Sequence, residues 1–399
     1  MNYFDDESVN LNALKKKAYN FRWAEVPQGM IPLTAADPDY PCAPAIRQAM
    51  QEYIQDGYFS YTPKLGLDSF KEAFASYVKD RKAEYVQPEH VLPVDSAARA
   101  MYIIAQAFLK PGDEMLVFDP CDFLFRESCL AAGATPVFYP AALDAENRRM
   151  DLSKLEDYIT DKTKMLGLCN PHNPYGLVYT EEELDQIMRI CEKHDILIMN
   201  DEIWSDIIYP DAHFTSIYAL GMERCRRVLS VFGFSKSFGL AGLRIGCVYT
   251  TDEEKFRQIV QASDVMSTAG GAASISQVAA AAAMNEARGW LDAFVAHLTQ
   301  NRDYAVDYIN KNIPGLHAYK PKATYLLYVD IRDLGADAAT FVEYLKKEAN
   351  LAIIPGGHQF FGDQSEGHVR ICIATSKEIL SEGLLRLKEG TRCFQEMKG

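Results

Sequence analysis

Three apolar runs in this 399-residue chain end in side chains that could act together. Lys164–Cys169 leads into Asn170-Pro171-His172-Asn173-Pro174-Tyr175-Gly176. Ile196–Asn200 leads into Asp201-Glu202, and Val228–Phe234 leads into Ser235-Lys236-Ser237. Taken singly, each has a plain structural reading: a turn, a helix cap and a solvated surface. If the runs are strands of one open α/β sheet, however, ligands bind beyond their carboxyl ends, and an amide, a carboxylate and an amine arrive at one edge.

An amine of this kind can form a Schiff base with an aldehyde. Pyridoxal 5'-phosphate (PLP) presents an aldehyde together with a pyridine nitrogen, a phenolic oxygen and a phosphate, so each of the three groups would find a partner on it. A carboxylate facing the pyridine nitrogen keeps it protonated, and the positive ring then stabilises a substrate carbanion.

The elements that must carry these groups are legible as alternating patterns. Met115–Phe118, Lys164–Cys169, Ile196–Met199 and Val228–Phe234 read as strands buried on both faces. Between them, Thr180-Glu181-Glu182-Glu183 is a capping box that opens a helix to about His194, with Leu184, Ile187, Met188 and Cys191 on one face. Strand, helix, strand predicts a mostly parallel sheet flanked by helices. After Met284 a long helix (290–310) precedes strands near 324–330, 351–355 and 369–374 and helices near 338–349 and 376–394, which predicts a smaller α+β domain. The first forty residues hold five of the prolines, or lie next to them, and show no period, so they are expected to wrap the rest. The division expected is an N-terminal segment 1–45 on the small domain, a large domain 46–287 and a small domain 288–399.

Composition narrows the function. A formal charge of −14, with no basic run longer than Lys15-Lys16-Lys17, argues against a nucleic-acid partner. The alanine-rich tract 272–284 is too short and too polar to span a bilayer, and the acidic start lacks a signal peptide, so a cytoplasmic protein without a membrane partner is expected. The nine cysteines form no C-x-x-C pair and the eight histidines no H-E-x-x-H. Cys169, Cys247 and Cys372 lie in apolar runs, so reduced structural thiols and no metal are expected.

Four motifs, Asn173-Pro174-Tyr175-Gly176, Asp201-Glu202-Ile203-Trp204, the run from Ser235 to Gly246 (SKSFGLAGLRIG) and His368-Val369-Arg370, occur in order. In order and spacing they resemble the class I/II aminotransferases of PLP fold type I, from about Ile31 to Leu387. Thr34–Tyr40 and Ala323–Leu327 resemble the MalY/PatB subgroup, many of whose members are carbon–sulfur β-lyases. The resemblance implies that Lys236 is the Schiff-base lysine and the base for the substrate Cα proton, that Asp201 is the pyridinium partner, and that Asn173 bonds the ring oxygen. It implies that Ser235, Arg244 and the N–H groups of Ala97 and Ala98, at a helix start, hold the phosphate. Tyr61 resembles a tyrosine that reaches the neighbouring subunit's cofactor, which implies a homodimer with shared active sites. Arg370 resembles the fork that clamps the substrate α-carboxylate.

Three positions depart from that pattern. Asp122 stands where an aromatic usually stacks on the ring, which leaves Phe123, Phe125 or Trp204 to cover it and points to a cationic or hydroxylated substrate. Trp204 replaces a Tyr or His, so its indole N–H is the available donor to the ring oxygen. Gly233 replaces a frequent phosphate-binding Ser or Thr. The expected activity is transfer of an amino group between an amino acid and a 2-oxo acid. The alternative is a β-lyase that releases pyruvate, ammonia and a thiol, and a regulatory protein that keeps the fold for a partner is a third reading.

Overall fold

The computed structural model describes residues 3–144, 149–267 and 269–398. The N-terminal stretch carries α1 (Leu11–Lys17), capped by the Asn10 side chain, and β1 (Ile31–Pro32). Helices α2 (Pro44–Gln55) and α3 (Asp68–Lys82) follow. Then come β2 (Val91–Val94), α4 (Ala97–Phe108), β3 (Glu114–Asp119), α5 (Leu124–Ala131), β4 (Thr135–Pro140) and β5 (Thr163–Cys169). The alternation continues with α6 (Glu181–Lys193), β6 (Leu197–Asp201), β7 (Val228–Gly233), α7 (Phe234–Phe238), β8 (Gly246–Tyr249), α8 (Glu253–Ala262) and α9 (Ser274–Glu286).

The apolar runs become one seven-stranded sheet in the order β2-β8-β7-β6-β5-β3-β4, parallel except for β8, which runs against both neighbours. Every residue of β2, β7 and β8 is buried, because helices cover both faces and leave no solvated side for polar residues to occupy. The expected capping box is present: the Glu183 N–H donates to the Thr180 hydroxyl at 3.2 Å, and the Thr180 N–H donates to the Glu183 carboxylate at 2.8 Å. Leu184, Ile187, Met188 and Cys191 form the buried face of α6, which is the face its spacing predicts.

Helix α10 (Arg288–Asn312) leads to β9 (His317–Ala318), β10 (Leu326–Asp330), α11 (Ala338–Ala349), β11 (Leu351–Ala352), β12 (Ile354–Pro355), β13 (His368–Cys372) and α12 (Lys377–Lys398). A four-stranded antiparallel sheet runs β12-β13-β10-β9 and sets Arg370 opposite Tyr328 and Ile354. Two expectations are corrected here. The run 351–355 is two strands in different sheets, since Leu351 and Ala352 pair in parallel with Ile31 and Pro32 while Ile354 and Pro355 pair with β13. The N-terminal stretch also contains a helix, too short for its period to stand out. Among the described residues no helix is long and apolar enough to cross a membrane.

Candidate active site

The carboxyl ends of β5, β6 and β7 lie side by side, with Cys169 opposite Asp201 and Asp201 opposite Val231. The loop after β5 delivers Asn173, β6 ends on Asp201, and α7, which starts directly after β7, carries Ser235 and Lys236 in its first turn. Helix α7 is held from behind, because the Ser237 hydroxyl donates to Asp206 at 2.8 Å and the Tyr77 hydroxyl donates to the same carboxylate at 2.9 Å.

The Lys236 ammonium donates to the Ala36 carbonyl at 2.8 Å and lies 5.7 Å from the Trp204 ring centroid. Tyr325 donates its hydroxyl to that carbonyl at 3.2 Å and meets Trp204 edge-on, with centroids 4.7 Å apart. Burial pushes the Lys236 amine below its usual range, while Asp37 and then Asp122 pull the other way. An amine so placed loses its proton more readily than a surface lysine.

Asp201 is buried, and its Oδ1 accepts the Ile203 N–H at 3.0 Å. Burial pushes its carboxyl up to about 7, and Asp122 and Glu202 add to the rise. Glu202 is turned to a separate cluster, where Lys82 donates to it at 2.6 Å, Asn200 at 2.9 Å and Ser216 at 3.1 Å. A buried carboxyl that resists ionisation fits a site whose ligand brings the cation, as a protonated pyridine nitrogen would.

At the other end of the edge, Ala97 and Ala98 open α4, and their N–H groups, like those of any first helical turn, have no intrahelical acceptor. The strands come close enough to present that turn only because two glycines let them. A Cβ on Gly246 would stand 2.7 Å from the Ala97 nitrogen, and one on Gly233 would stand 3.1 Å from the Ala97 Cβ and 3.0 Å from Ile203. This explains the departure at Gly233, whose side-chain space is taken by Ala97 and Ile203. Arg244, held in the left-handed region at φ 50°, donates to the Ser96 hydroxyl at 3.0 Å and so sits at the same helix start, exposed to solvent. A helix start, a cation and a half-buried Ser235 make a cradle for a phosphate.

Arg370 reaches in from β13. Its guanidinium donates to the Asn173 Oδ1 at 3.3 Å and covers the Phe361 ring at 4.8 Å, while its Nε is buried with no hydrogen-bond partner. The Asn173 amide donates in turn to the Asp122 Oδ2 at 2.9 Å. A buried guanidinium with a donor left over is what a ligand carboxylate would complete. Tyr61 lies elsewhere, on the loop between α2 and α3, and is 90% exposed near the also exposed Tyr58. Of the three aromatics weighed for covering the ring, Trp204 lies beside the Lys236 amine, whereas Phe125 is core, filling the space above Gly167, and Phe123 is exposed.

Residues 28–387 match the family described as Aminotransferase class I and II. The chain belongs to that family. The fold type, the PLP dependence and the aminotransferase class implied by the four motifs come with that membership. Among curated relatives, this aminotransferase-family chain is 30% identical to the aspartate aminotransferase of Pyrococcus abyssi, over 91% of its own length and 92% of the relative's. Among solved structures, a PLP-bound chain from Clostridium difficile 630 superposes with a TM-score of 0.90 at 27% identity, covering 98% of this chain and 100% of that one. A chain from Corynebacterium diphtheriae assigned as a PLP-dependent β-cystathionase superposes with a TM-score of 0.87 at 26% identity, over 96% and 98%.

Three participants escape sequence reasoning. The Ala36 carbonyl is a backbone group 200 residues from the lysine it holds. Tyr325 reads as one more apolar position of a buried strand, and Asp37, between Ala36 and Pro38, reads as a turn acid. Their one signal in the sequence is that both lie in the segments, Thr34–Tyr40 and Ala323–Leu327, that resemble the MalY/PatB subgroup.

Proposed function

We propose that this chain transfers an amino group between an amino acid and a 2-oxo acid, with PLP carried on Lys236. The observation that carries the reading is Arg370, a buried guanidinium with an unpartnered Nε, which donates to Asn173 at the sheet edge that also carries Lys236. When bound, PLP supplies the electron sink for the charge left at the substrate Cα.

The remaining steps belong to side chains. Arg370 holds the substrate α-carboxylate and so fixes the Cα proton toward Lys236, whose amine, left unprotonated more readily by burial, is able to take that proton. Asp201 pairs with the ring nitrogen, and the second N–H of Asn173 is free to face the ring oxygen. Ala97, Ala98, Ser235 and Arg244 hold the phosphate, and Trp204 with Tyr325 shields the amine from water. Tyr61 reaches the cofactor of a second copy, which makes the working unit a homodimer. We place it in the cytoplasm, where its free thiols persist, and keep the three-part division 1–45, 46–287 and 288–399.

A second reading, a carbon–sulfur β-lyase, rests on the likeness to the C. diphtheriae protein. The same proton abstraction by Lys236 would there expel a thiolate from Cβ. Purified protein reconstituted with PLP is offered a panel of amino acids with 2-oxoglutarate, then cystathionine without an acceptor. New 2-oxo acid and glutamate, lost in Lys236→Ala, are expected from the first. Pyruvate and thiol from the second, with no transfer in the first, would reverse the assignment.

A further inference from the structure

Arg370 is buried without an ion pair among the described residues: its Nη1 donates to Asn173 at 3.3 Å, and its Nε has no partner. Asp122 acts on it without pairing, because the Asp122 Oδ2 is engaged by the Asn173 amide at 2.9 Å. A guanidinium taken out of water without a counter-ion is unfavourable, so another group must hold it. The group in contact is the buried Phe361 ring, whose centroid lies 4.8 Å from the guanidinium carbon. A ring face attracts a cation through its quadrupole and leaves the N–H edge of the guanidinium open. An Asp or Glu in that place would instead pair with the N–H groups that a ligand carboxylate needs.

The ring is seated by a loop that is closed on itself and docked on the sheet edge. Phe361 lies between β12 and β13, where the fully buried Ser365 hydroxyl donates to the Gly362 carbonyl at 2.6 Å and accepts the Gly357 N–H at 2.6 Å. The Cys121 N–H, just beyond β3, donates to the Phe361 carbonyl at 2.8 Å. Asp119, the last residue of β3, accepts the Gln364 N–H at 3.2 Å, and Arg126 of α5 donates to the His358 carbonyl at 2.5 Å. Gly362 permits this approach, since a Cβ there would stand 2.1 Å from the Asp119 Oδ1, and its φ of 108° also favours glycine. Strand β3 pairs with β5, so Phe361 and Asn173, the two groups that hold Arg370, are both fixed at neighbouring strand ends.

We infer that Phe361 is a positioning residue for the α-carboxylate clamp: its ring stands in for a counter-ion and holds the Arg370 guanidinium with its hydrogen-bonding edge free for the substrate. The inference rests on the reading of Arg370 as that clamp. It gives the contacts of Asp119, Cys121 and Arg126 a part in aiming the clamp, since they fix the ring against the sheet edge.

Three variants separate the ring face from the space it fills. Phe361→Leu keeps an apolar side chain without the face, Phe361→Tyr keeps the face, and Gly362→Ala keeps Phe361 but forces the loop away from Asp119. The background is PLP-loaded Lys236→Ala, which does not turn over, and the probes are the amino acid of the panel that binds it most tightly and the amine left when the α-carboxylate of that amino acid is removed. By calorimetry, Phe361→Leu is expected to weaken the amino acid at least tenfold and the amine less than twofold. Gly362→Ala should act in the same direction, at least fivefold, and Phe361→Tyr should stay within twofold of the background. Equal weakening of amino acid and amine would mean that the ring only fills space, and full amino-acid affinity in Phe361→Leu would mean that the clamp works without it; either overturns the inference. Should Phe361→Leu fail to fold, the amino-acid-to-amine ratio in Gly362→Ala decides in its place. If no donor reacts in the parent enzyme, the aminotransferase reading fails while the binding measurements still judge the inference. Unchanged amino-acid affinity in Arg370→Met would remove the clamp and the inference with it.

Discussion

A carboxyl that burial pushes up to about 7 leaves a trace in stability, and Asp201 is that carboxyl. In the cofactor-free protein its folded affinity for a proton exceeds that of the unfolded chain, where a carboxyl titrates near 3.8. The native state therefore binds more protons between those values, and this group's contribution to stability is present below about pH 4 and is lost as pH rises through about 7. A fully buried group with this shift is worth on the order of 4 kcal/mol across that window. Glu84, pushed up to about 8 by burial in the cluster with Lys82 and Glu202, slopes the same way and must be subtracted. Urea unfolding of apoprotein at pH 5 and at pH 7 does so: Asp201→Asn should remove a large part of the loss between the two pH values while leaving the Glu84 share. An unchanged difference would mean that Asp201 is already paired or solvated without its ligand.

Secondary structure was legible where local rules decide it and obscure where a distant partner does. Thr180 and Glu183 form their box within one turn, so four residues of sequence suffice. The buried strands of the large sheet announce themselves because helices on both faces demand apolar side chains throughout. By contrast, nothing in Leu351–Pro355 says that Ile353 marks a change of sheet, since the partners Ile31 and Val369 lie far away in the chain. The loop that seats Phe361 under Arg370 is equally silent, although its carbonyl accepts the Cys121 N–H at 2.8 Å and so joins it to the end of β3. The glycines of β7 and β8 are intermediate: a glycine in a strand suggests a close approach, but only the structure shows that the object approached is the first turn of α4. A methyl group at Gly246 would stand 2.7 Å from the Ala97 nitrogen and 2.8 Å from the Ser96 carbonyl carbon, so α4 must shift away from the strand edge. Gly246→Ala is accordingly expected to weaken PLP binding at least tenfold in a fluorescence titration while the far-ultraviolet circular dichroism stays native. Retention of full affinity would show that the helix start does not hold the phosphate.

The loop between α2 and α3 carries the surface on which the proposed homodimer rests. Tyr58, Phe59 and Tyr61 are 81%, 64% and 90% exposed on one short segment, an apolar display that a solitary chain seldom keeps. Sedimentation should find a particle of about twice the 44.8 kDa chain mass. Mass alone does not say whose cofactor Tyr61 serves, but hybrids do. Lys236→Ala removes the covalent anchor, Tyr61→Ala removes the reaching side chain, and each homodimer carries the same fault at both sites. In a hybrid of the two, sharing across the interface puts both faults into one site and leaves the other whole: the Tyr61→Ala subunit keeps its lysine and receives an intact tyrosine from its partner. Each hybrid should then have about half the activity of the parent dimer, so that equal amounts of the two variants unfolded and refolded together, which makes about half of the dimers hybrids, recover about a quarter of it. If Tyr61 instead served its own subunit, the hybrid would contain one site lacking lysine and one lacking tyrosine, and its activity would not rise above that of Tyr61→Ala.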